Sequence, residues 1–506
     1  MSRIFPQALV LLVLGFISLA MPQHSFASAP AQSPWPGQPG NSVGHTAWSG
    51  WTGSFNSTGC SAPSSGTSWA NATVIQNCTY TTAQTINCNY CEFILVDFKA
   101  GTSVTQVNGS HILFAGDRFQ SNDVQAGNVG VTGGNIYFFY DSLVPLASLA
   151  TSPPGYTWPS AGAGANSTTI TSGTNAINGN NGYEYGFNIT NGPIWIDHCD
   201  IWGFGDAIVI QTTTAQMTIT NNHMHDIANP TEQVYHTDGP GYSNGAVAPS
   251  NVTIIGNTVA MLGNTNALAF QAATGGYQNI YVASNFWSGD NATISWCQPG
   301  SVRCTNSYFY GNTLGTDVMD FGAVYNPGAA LGSGSVWACN TIEVKAGTTW
   351  TNLGGWTPTS GMNGQYLVNS ASATNSATDQ GGNTLCGVPA PSSINFGNQA
   401  ANSSSGGQTI TFSSSSTGNL SISSIALATG TQFSISSNTC GSTLNSGSNC
   451  SITIKFSPTS MGPQTDTLQI RDNTPGVSSP QLVPLAGIGM PGSNVAAPTG
   501  LAAVVQ

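Results

Sequence analysis

Through the middle of the chain a nine-residue phrase recurs, usually with apolar residues at its second, fourth and ninth positions and Asn or Asp at its seventh. Copies begin at His111, Asn135, Pro193, Gln216, Asn251, Asn279 and Asn306, with an early copy from Cys91 and a degraded one ending at Ile342. Most starts fall 20 to 35 residues apart; one gap of 58 is expected to hold an extra coil plus the Gly/Ser/Pro-rich loop from Val144 to Gly179. Period-two alternation predicts a strand with one face buried. A polar residue at a fixed seventh place predicts a turn there, because Asn and Asp tolerate left-handed backbone and can hydrogen-bond from copy to copy. Asp97, Asp117, Asp141 and Cys199 are therefore expected to be structural members of that column. Repetition of strand and turn predicts a solenoid of parallel strands in which each coil buries its apolar face on its neighbours. A second register, with Asp206, Asp238, Asn266, Asn291 and Asp320 each opening a short run, predicts a further side to every coil.

The ladder ends after Cys386. Pro389-Ala-Pro-Ser-Ser reads as a linker, and alternating strands without the ladder recur from Ile394 to Met490, as in Gln408–Phe412 and Ser451–Phe456. About 95 residues of this kind predict a β-sandwich. At the other end, Met1-Ser-Arg3, an apolar run from Ala8 to Met21 and Ala27-Ser-Ala29 read as a secretory signal peptide, and no second apolar stretch of about 20 residues follows. The expected plan is a signal peptide over 1–29, a low-complexity segment over 30–56, a β-helix over 57–388, a linker over 389–393, a sandwich over 394–490 and a tail over 491–506. Ala497–Val505 looks like the first strand of a fibronectin type III domain, which would make the chain a fragment of a longer protein.

Composition narrows the class. Only 5% of residues are charged, against roughly 25% in an ordinary soluble domain, which excludes salt-bridged helical bundles, coiled coils and charge-rich disorder. Apolar residues at 40% suffice for a core, and 7 Lys+Arg against 19 Asp+Glu argue against a nucleic-acid partner. Eleven cysteines fit an oxidising destination, so a secreted protein is expected, with no membrane span in the mature chain. Cys297 with Cys304, Cys440 with Cys450 and Cys339 with Cys386 are the expected pairs, and Cys199 the free thiol. A zinc reading of Cys88-x-x-Cys91 lacks a second ligand pair nearby.

Ile194-Trp-Ile-Asp-His-Cys-Asp-Ile201, followed by Asp206-Ala-Ile and Met217–His223, resembles the corresponding run of pectate lyases. His236-Thr-Asp-Gly239 followed by Asn251–Asn257 resembles the His-Ser-Asp-Gly coil of secreted β-helix proteins of undetermined activity. The stretch from about Ser57 to Val344 is thus similar to the right-handed parallel β-helix, or pectin-lyase-like, superfamily. The C-terminal part resembles the Ig-like module of abnormal-spindle and Hydin proteins. The expected fold class is all-β: a right-handed parallel β-helix followed by a C-terminal Ig-like β-sandwich. Such β-helices host lyases, hydrolases, epimerases and non-catalytic adhesins, so activity must be read from the site.

Four of seven histidines and six of nineteen acids fall between Asp197 and Asp238, a concentration that marks a candidate site. Asp206 and Asp238, one coil apart in the second register, are expected about 4.8 Å apart along the axis. Carboxylates about 5 Å apart suit retaining glycoside hydrolysis, and a wider pair such as Asp197 with Asp238 suits inversion. His236 is placed to orient or share the proton, and Asp197 and His198 complete the catalytic candidates. The pectate-lyase resemblance implies calcium and a basic side chain, yet no Lys or Arg stands between Arg118 and Arg303. The lyase alternative is therefore calcium on Asp197, Asp200 and Asp206 with a His base; hydrolysis needs no cofactor. The third-position column, with Tyr137, Trp195, Thr218, Thr253, Tyr281 and Tyr308, is expected to face outward. Trp195, Tyr281 and Tyr308 there, with Tyr235 and Tyr242 beside the acidic coil, are the expected sugar-stacking residues. The expected partner is an extracellular polysaccharide that is bound and cleaved, with a non-catalytic adhesin as the remaining alternative.

Overall fold

The computed structural model describes residues 43–48, 51–101, 103–121, 129–145, 185–202, 204, 206–211, 216–227, 239–242, 248–261, 266–270, 276–288, 292–295, 305–316, 322–325, 336–338, 340–346, 349–355, 387–414, 419–473 and 480–491. Each phrase forms two strands with a bend between them. In the copy from Pro193, strand Ile194–Asp197 bends at His198 and Cys199 into strand Asp200–Trp202, and Asp206–Ile210 then opens another side of the coil. The coils stack in parallel: Ile194 pairs with Ile136 and Met217, and Asp200 with Ser142 and His223. Repeated along the chain, this builds a 19-stranded and a 9-stranded sheet, the walls of a parallel β-helix. Because Ile136 pairs directly with Ile194, and Val129 with Phe187, the 58-residue gap adds no coil to the stack. In the second register Ala292, not Asn291, stands opposite Asn266.

Alternation sends the even positions inward, where aromatic rings continue from coil to coil. Phe114 stacks between Phe93 and Phe138 with centroids 5.0 and 4.8 Å apart, and Phe98 stacks on Phe119 at 4.7 Å. The left-handed residues are the first and sixth of the phrase rather than the seventh. His111, Asn135, Asn251 and Asn279 have φ of 56 to 58°, and Tyr140, His198, Asn221 and Ser284 have φ of 52 to 59°. Turning one residue early leaves the seventh side chain pointing into the wall as a hydrogen-bonding ladder. Each amide of Asn222, Asn257, Asn285 and Asn312 donates to the next Asn Oδ1, ending on Asn340, at 2.9 to 3.1 Å. The same amides also donate to a main-chain carbonyl of the preceding coil, as Asn257 does to Ile219 at 2.9 Å.

Toward the N-terminal end the ladder runs through Cys199, Asp141 and Asp117. Cys199 is a buried free thiol, as expected. Asp97 does not belong to it: Tyr90 and Leu95 carry the left-handed backbone, so the early copy starts at Tyr90 and Val96 takes the seventh place. Asp97 instead holds Arg118 at 2.8 Å, Lys99 at 3.3 Å and the Gln120 amide at 2.6 Å. Asp141 Oδ1 accepts the Asp117 N–H at 2.7 Å, while its buried Oδ2 has no hydrogen-bond partner. Burial, reinforced by Asp117, pushes the Asp141 carboxyl well above the usual carboxylate range. A carboxyl raised in the folded state contributes its stability fully below its unfolded pKa and loses it as pH rises through the folded value. Asp141→Asn, which supplies the amide that the other coils use, is expected to raise neutral-pH stability by about 1 kcal/mol. Denaturant melts should show that gain vanish in acid; a gain independent of pH would mean the carboxyl is not the cause.

The C-terminal unit pairs a 4-stranded with a 5-stranded sheet around Ile410, Phe412, Ile452, Phe456, Leu468 and Val483. Its first strand is Gly387–Ala390, which pairs with Gln408–Ser414, so the expected linker partly forms a sandwich strand. Cys440–Cys450 is disulfide-bonded as expected, and Cys60–Cys78 and Cys88–Cys91 are bonded as well, which removes the latter pair as a metal site. Cys297, Cys304, Cys339 and Cys386 lie outside the described residues. The expected low-complexity segment contributes a 3-10 turn, His45–Ala47, and a buried Trp48 packed on the outer face of the β-helix. Among the described residues no helix is long and apolar enough to cross a membrane.

Candidate functional site

The outward third-position column is largely covered, which corrects its expected role. Ala486 and Ile488, from the last sandwich strand, pack with Trp48 against Leu113, Phe139 and Trp195. Trp195 is thereby 8% exposed, Tyr281 6% and Thr218 3%, so Trp195 and Tyr281 serve the interface and are not open sugar platforms. Hydrogen bonds pin the contact: Tyr310 Oη donates to the Gly387 carbonyl at 2.5 Å, and the Leu482 N–H donates to Tyr281 Oη at 3.3 Å.

Asp197 belongs to the same interface. Its Oδ1 accepts from Thr220 Oγ1 at 2.7 Å and Asn221 Nδ2 at 3.1 Å, and its Oδ2 accepts from Asn395 Nδ2 of the sandwich at 2.7 Å. His198 Nδ1 lies 2.9 Å from Oδ2. Burial alone would raise this carboxyl, but His198, Asn395 and Thr220 together hold it below the usual range. An ionised carboxylate with both oxygens engaged by protein is a structural anchor, not a general acid or an open calcium ligand.

Asp206 is buried in the other sheet, opposite Tyr185, and so stands apart from Asp197 and Asp200 in the large sheet. Its expected partners Asp238 and His236, and Tyr235, lie outside the described residues; Tyr242 ends strand Pro240–Tyr242 in the same sheet. Asp200 does not gather with Asp197 and Asp206 as the expected calcium set. It gathers with His223 and His225, the ligand atoms of the three lying within 4.8 Å of one another. Asp200 and His223 hold the eighth position of adjacent coils, and His225, two residues on, points to the same side. Asp200 Oδ1 is 3.0 Å from His225 Nε2 and 3.9 Å from His223 Nδ1. Burial would raise Asp200, but His225, His223 and His45 draw it below the usual range. Burial and then His225 bring His223 down to about 3 against the pull of Asp200.

His45 was not singled out by sequence and had no signal to offer, being in an irregular N-terminal segment. It reaches the neighbouring coil, where its Nδ1 lies 2.7 Å from Ser142 Oγ, and burial followed by Arg118 lowers it to about 4. Aligning the phrases by position would have paired Asp200 with His223, since both are eighth residues.

A cleft of about 610 Å³ opens where the sandwich leaves the column, lined by Gln216, Asn251, Thr253, Asn279, Tyr281, Asn306, Tyr308 and Leu482. Asn251, Asn279 and Asn306 open three consecutive phrases, and the Asn279 amide donates to Asn251 Oδ1 at 2.9 Å. Tyr281 and Tyr308 are register neighbours with ring centroids 5.9 Å apart. Among the described residues no carboxylate, Lys, Arg or His lines it.

The chain is similar to several solved structures. It resembles the secreted serine protease VesC of Vibrio cholerae at 15% identity, over 21% of this chain and 23% of that one, with a TM-score of 0.18. It resembles the VesB protease of Vibrio cholerae at 16% identity, over 21% and 32%, with a TM-score of 0.18. The chain thus spans less than a third of the length of either protease. It is also similar to the tailspike protein of Escherichia coli bacteriophage HK620, solved in complex with a hexasaccharide, at 12% identity over 76% of this chain and 71% of that one, TM-score 0.32. No curated protein matches it in sequence. Residues 386–479, most of its C-terminal sandwich, match the model of the ASH family, abnormal spindle-like microcephaly-associated, ASPM-SPD-2-Hydin.

Proposed function

We propose that the protein is exported and binds a neutral extracellular polysaccharide in the cleft between the β-helix face and the edge of the sandwich. The observation that carries this reading is the lining of that cleft among the described residues: the partly exposed Tyr308 ring, a row of asparagine amides, Gln216 and Thr253, and no charged side chain. Ring faces match the apolar faces of sugars, and amides donate to and accept from hydroxyls. A polyanionic chain would meet no cation among the described lining residues. The row follows consecutive coils about 4.8 Å apart, which suits an extended polymer lying along the axis. Disulfides at both ends of the described chain support export.

Binding rather than cleavage is the reading of this cleft, because no acid or base is among its described lining residues. Hydrolysis would fall to Asp206, on the other sheet, with its expected partners Asp238 and His236, and a lyase reaction would need calcium that Asp197 cannot take without leaving Asn395. Titration of the full chain with a panel of neutral and uronate oligosaccharides, with and without chelator, is expected to select a neutral glycan. Tyr308→Ala should weaken it roughly tenfold, about 1.4 kcal/mol. Unchanged affinity in that variant, or uronate binding abolished by chelator, overturns the proposal; new reducing ends or an unsaturated product in the same tubes would assign catalysis elsewhere on the helix.

A further inference from the structure

We propose that Asp200, His223 and His225 form a three-ligand site for a divalent transition metal ion of the zinc class. The repeat does not require imidazoles here: in the next coils the eighth position is Thr258, Phe286 and Thr313. The two rings stack with centroids 4.3 Å apart at 24°, which sets both on the side of the Asp200 carboxylate. Ligands at 2.0 to 2.1 Å from a tetrahedral ion sit roughly 3.3 Å from one another. The observed separations of 3.0 Å for Asp200 Oδ1 to His225 Nε2 and 3.9 Å for Asp200 Oδ1 to His223 Nδ1 bracket that spacing.

Two imidazoles and one carboxylate make a borderline set that favours zinc over calcium, which takes six or more oxygens. The three side chains keep 11 to 18% of their surface exposed, so an ion can enter from solvent and keep a further position for water. Ser142, beside Asp200 in the column and bonded to His45, closes the site toward the preceding coil.

The test is calorimetric titration of the untagged, chelator-stripped full chain with Zn²⁺. One equivalent is expected to bind, with Ca²⁺ failing to compete, and His225→Ala is expected to weaken it at least about 100-fold. Failure to bind Zn²⁺, or equal binding by a folded His223→Ala/His225→Ala variant, overturns the proposal. If those variants do not fold, Co²⁺ added to the unaltered chain must develop the visible ligand-field bands of nitrogen and oxygen ligation, and their absence overturns it as well. The site is separate from the glycan cleft, so glycan titration without metal distinguishes failure of one proposal from failure of the other.

Discussion

Asn257→Leu is expected to destabilise the β-helix by roughly 3–5 kcal/mol, the sum of two or three buried polar groups left without partners at about 1–3 kcal/mol each. Asn257 is 1% exposed. Its Oδ1 accepts both the Asn222 N–H and the Asn222 amide, each at 2.9 Å, and its own amide donates to Ile219 and Ile255 carbonyls and to Asn285 Oδ1. Leucine has nearly the same size, so packing changes little and the loss measures the ladder. Asn257→Asp keeps the acceptor but not the donors, and should fall between the two. Urea melts followed by circular dichroism read the difference. A Leu variant within about 0.5 kcal/mol of the parent would show that the ladder is incidental to stability.

Asp197→Ala is expected to cost about 2–5 kcal/mol, from two buried hydrogen-bond donors left unpartnered at about 1–3 kcal/mol each, and to loosen the sandwich from the helix. Removing the carboxylate takes the acceptor from Thr220 Oγ1 and Asn395 Nδ2, while Asn221 Nδ2 keeps Ser393 Oγ. The pH dependence has a definite sign. The Asp197 pKa is depressed in the folded state, so its contribution is present above the unfolded value of about 3.9 and is lost as pH falls through the folded one. Acid should therefore weaken the parent interface, and Asp197→Asn should remove that part of the acid sensitivity. Hydrogen exchange of strand Ile394–Ala400 is the local readout. Unchanged protection in Asp197→Ala at neutral pH would remove Asp197 as the anchor.

The β-helix was legible because its code is local and repeated. Alternation at the second, fourth and ninth positions predicts inward strands, and a column of Asn and Asp predicts a ladder; both appear, from Asp117 through Asn340. The left-handed sixth residue was less visible, since Tyr140, His198, Asn221 and Ser284 share a backbone conformation but no side-chain chemistry. The early copy slipped by one for a related reason: Asp97 looks like a ladder residue, but Arg118 and Gln120 claim it. The expected extra coil failed because gap length alone cannot show which strands pair.

The candidate chemistry divides along the same line. Charge scarcity and the cluster between Asp197 and Asp238 can be read from composition and spacing, because they are properties of the chain. That Asp197 is spent on Asn395, 198 residues away, and that Trp195 lies beneath Ile488, follows from how the sandwich docks. No periodicity within the helix encodes that contact. By itself the sequence determined the parallel β-helix, its Asn ladder, the Ig-like sandwich after it and the pool of ionisable residues. Only the tertiary structure decided which of those residues are consumed by the interface, which meet across coils as Asp200, His223 and His225 do, and where an uncharged cleft stays open. The physical reason is that strand formation rests on neighbours in sequence, whereas burial and charge pairing rest on neighbours in space.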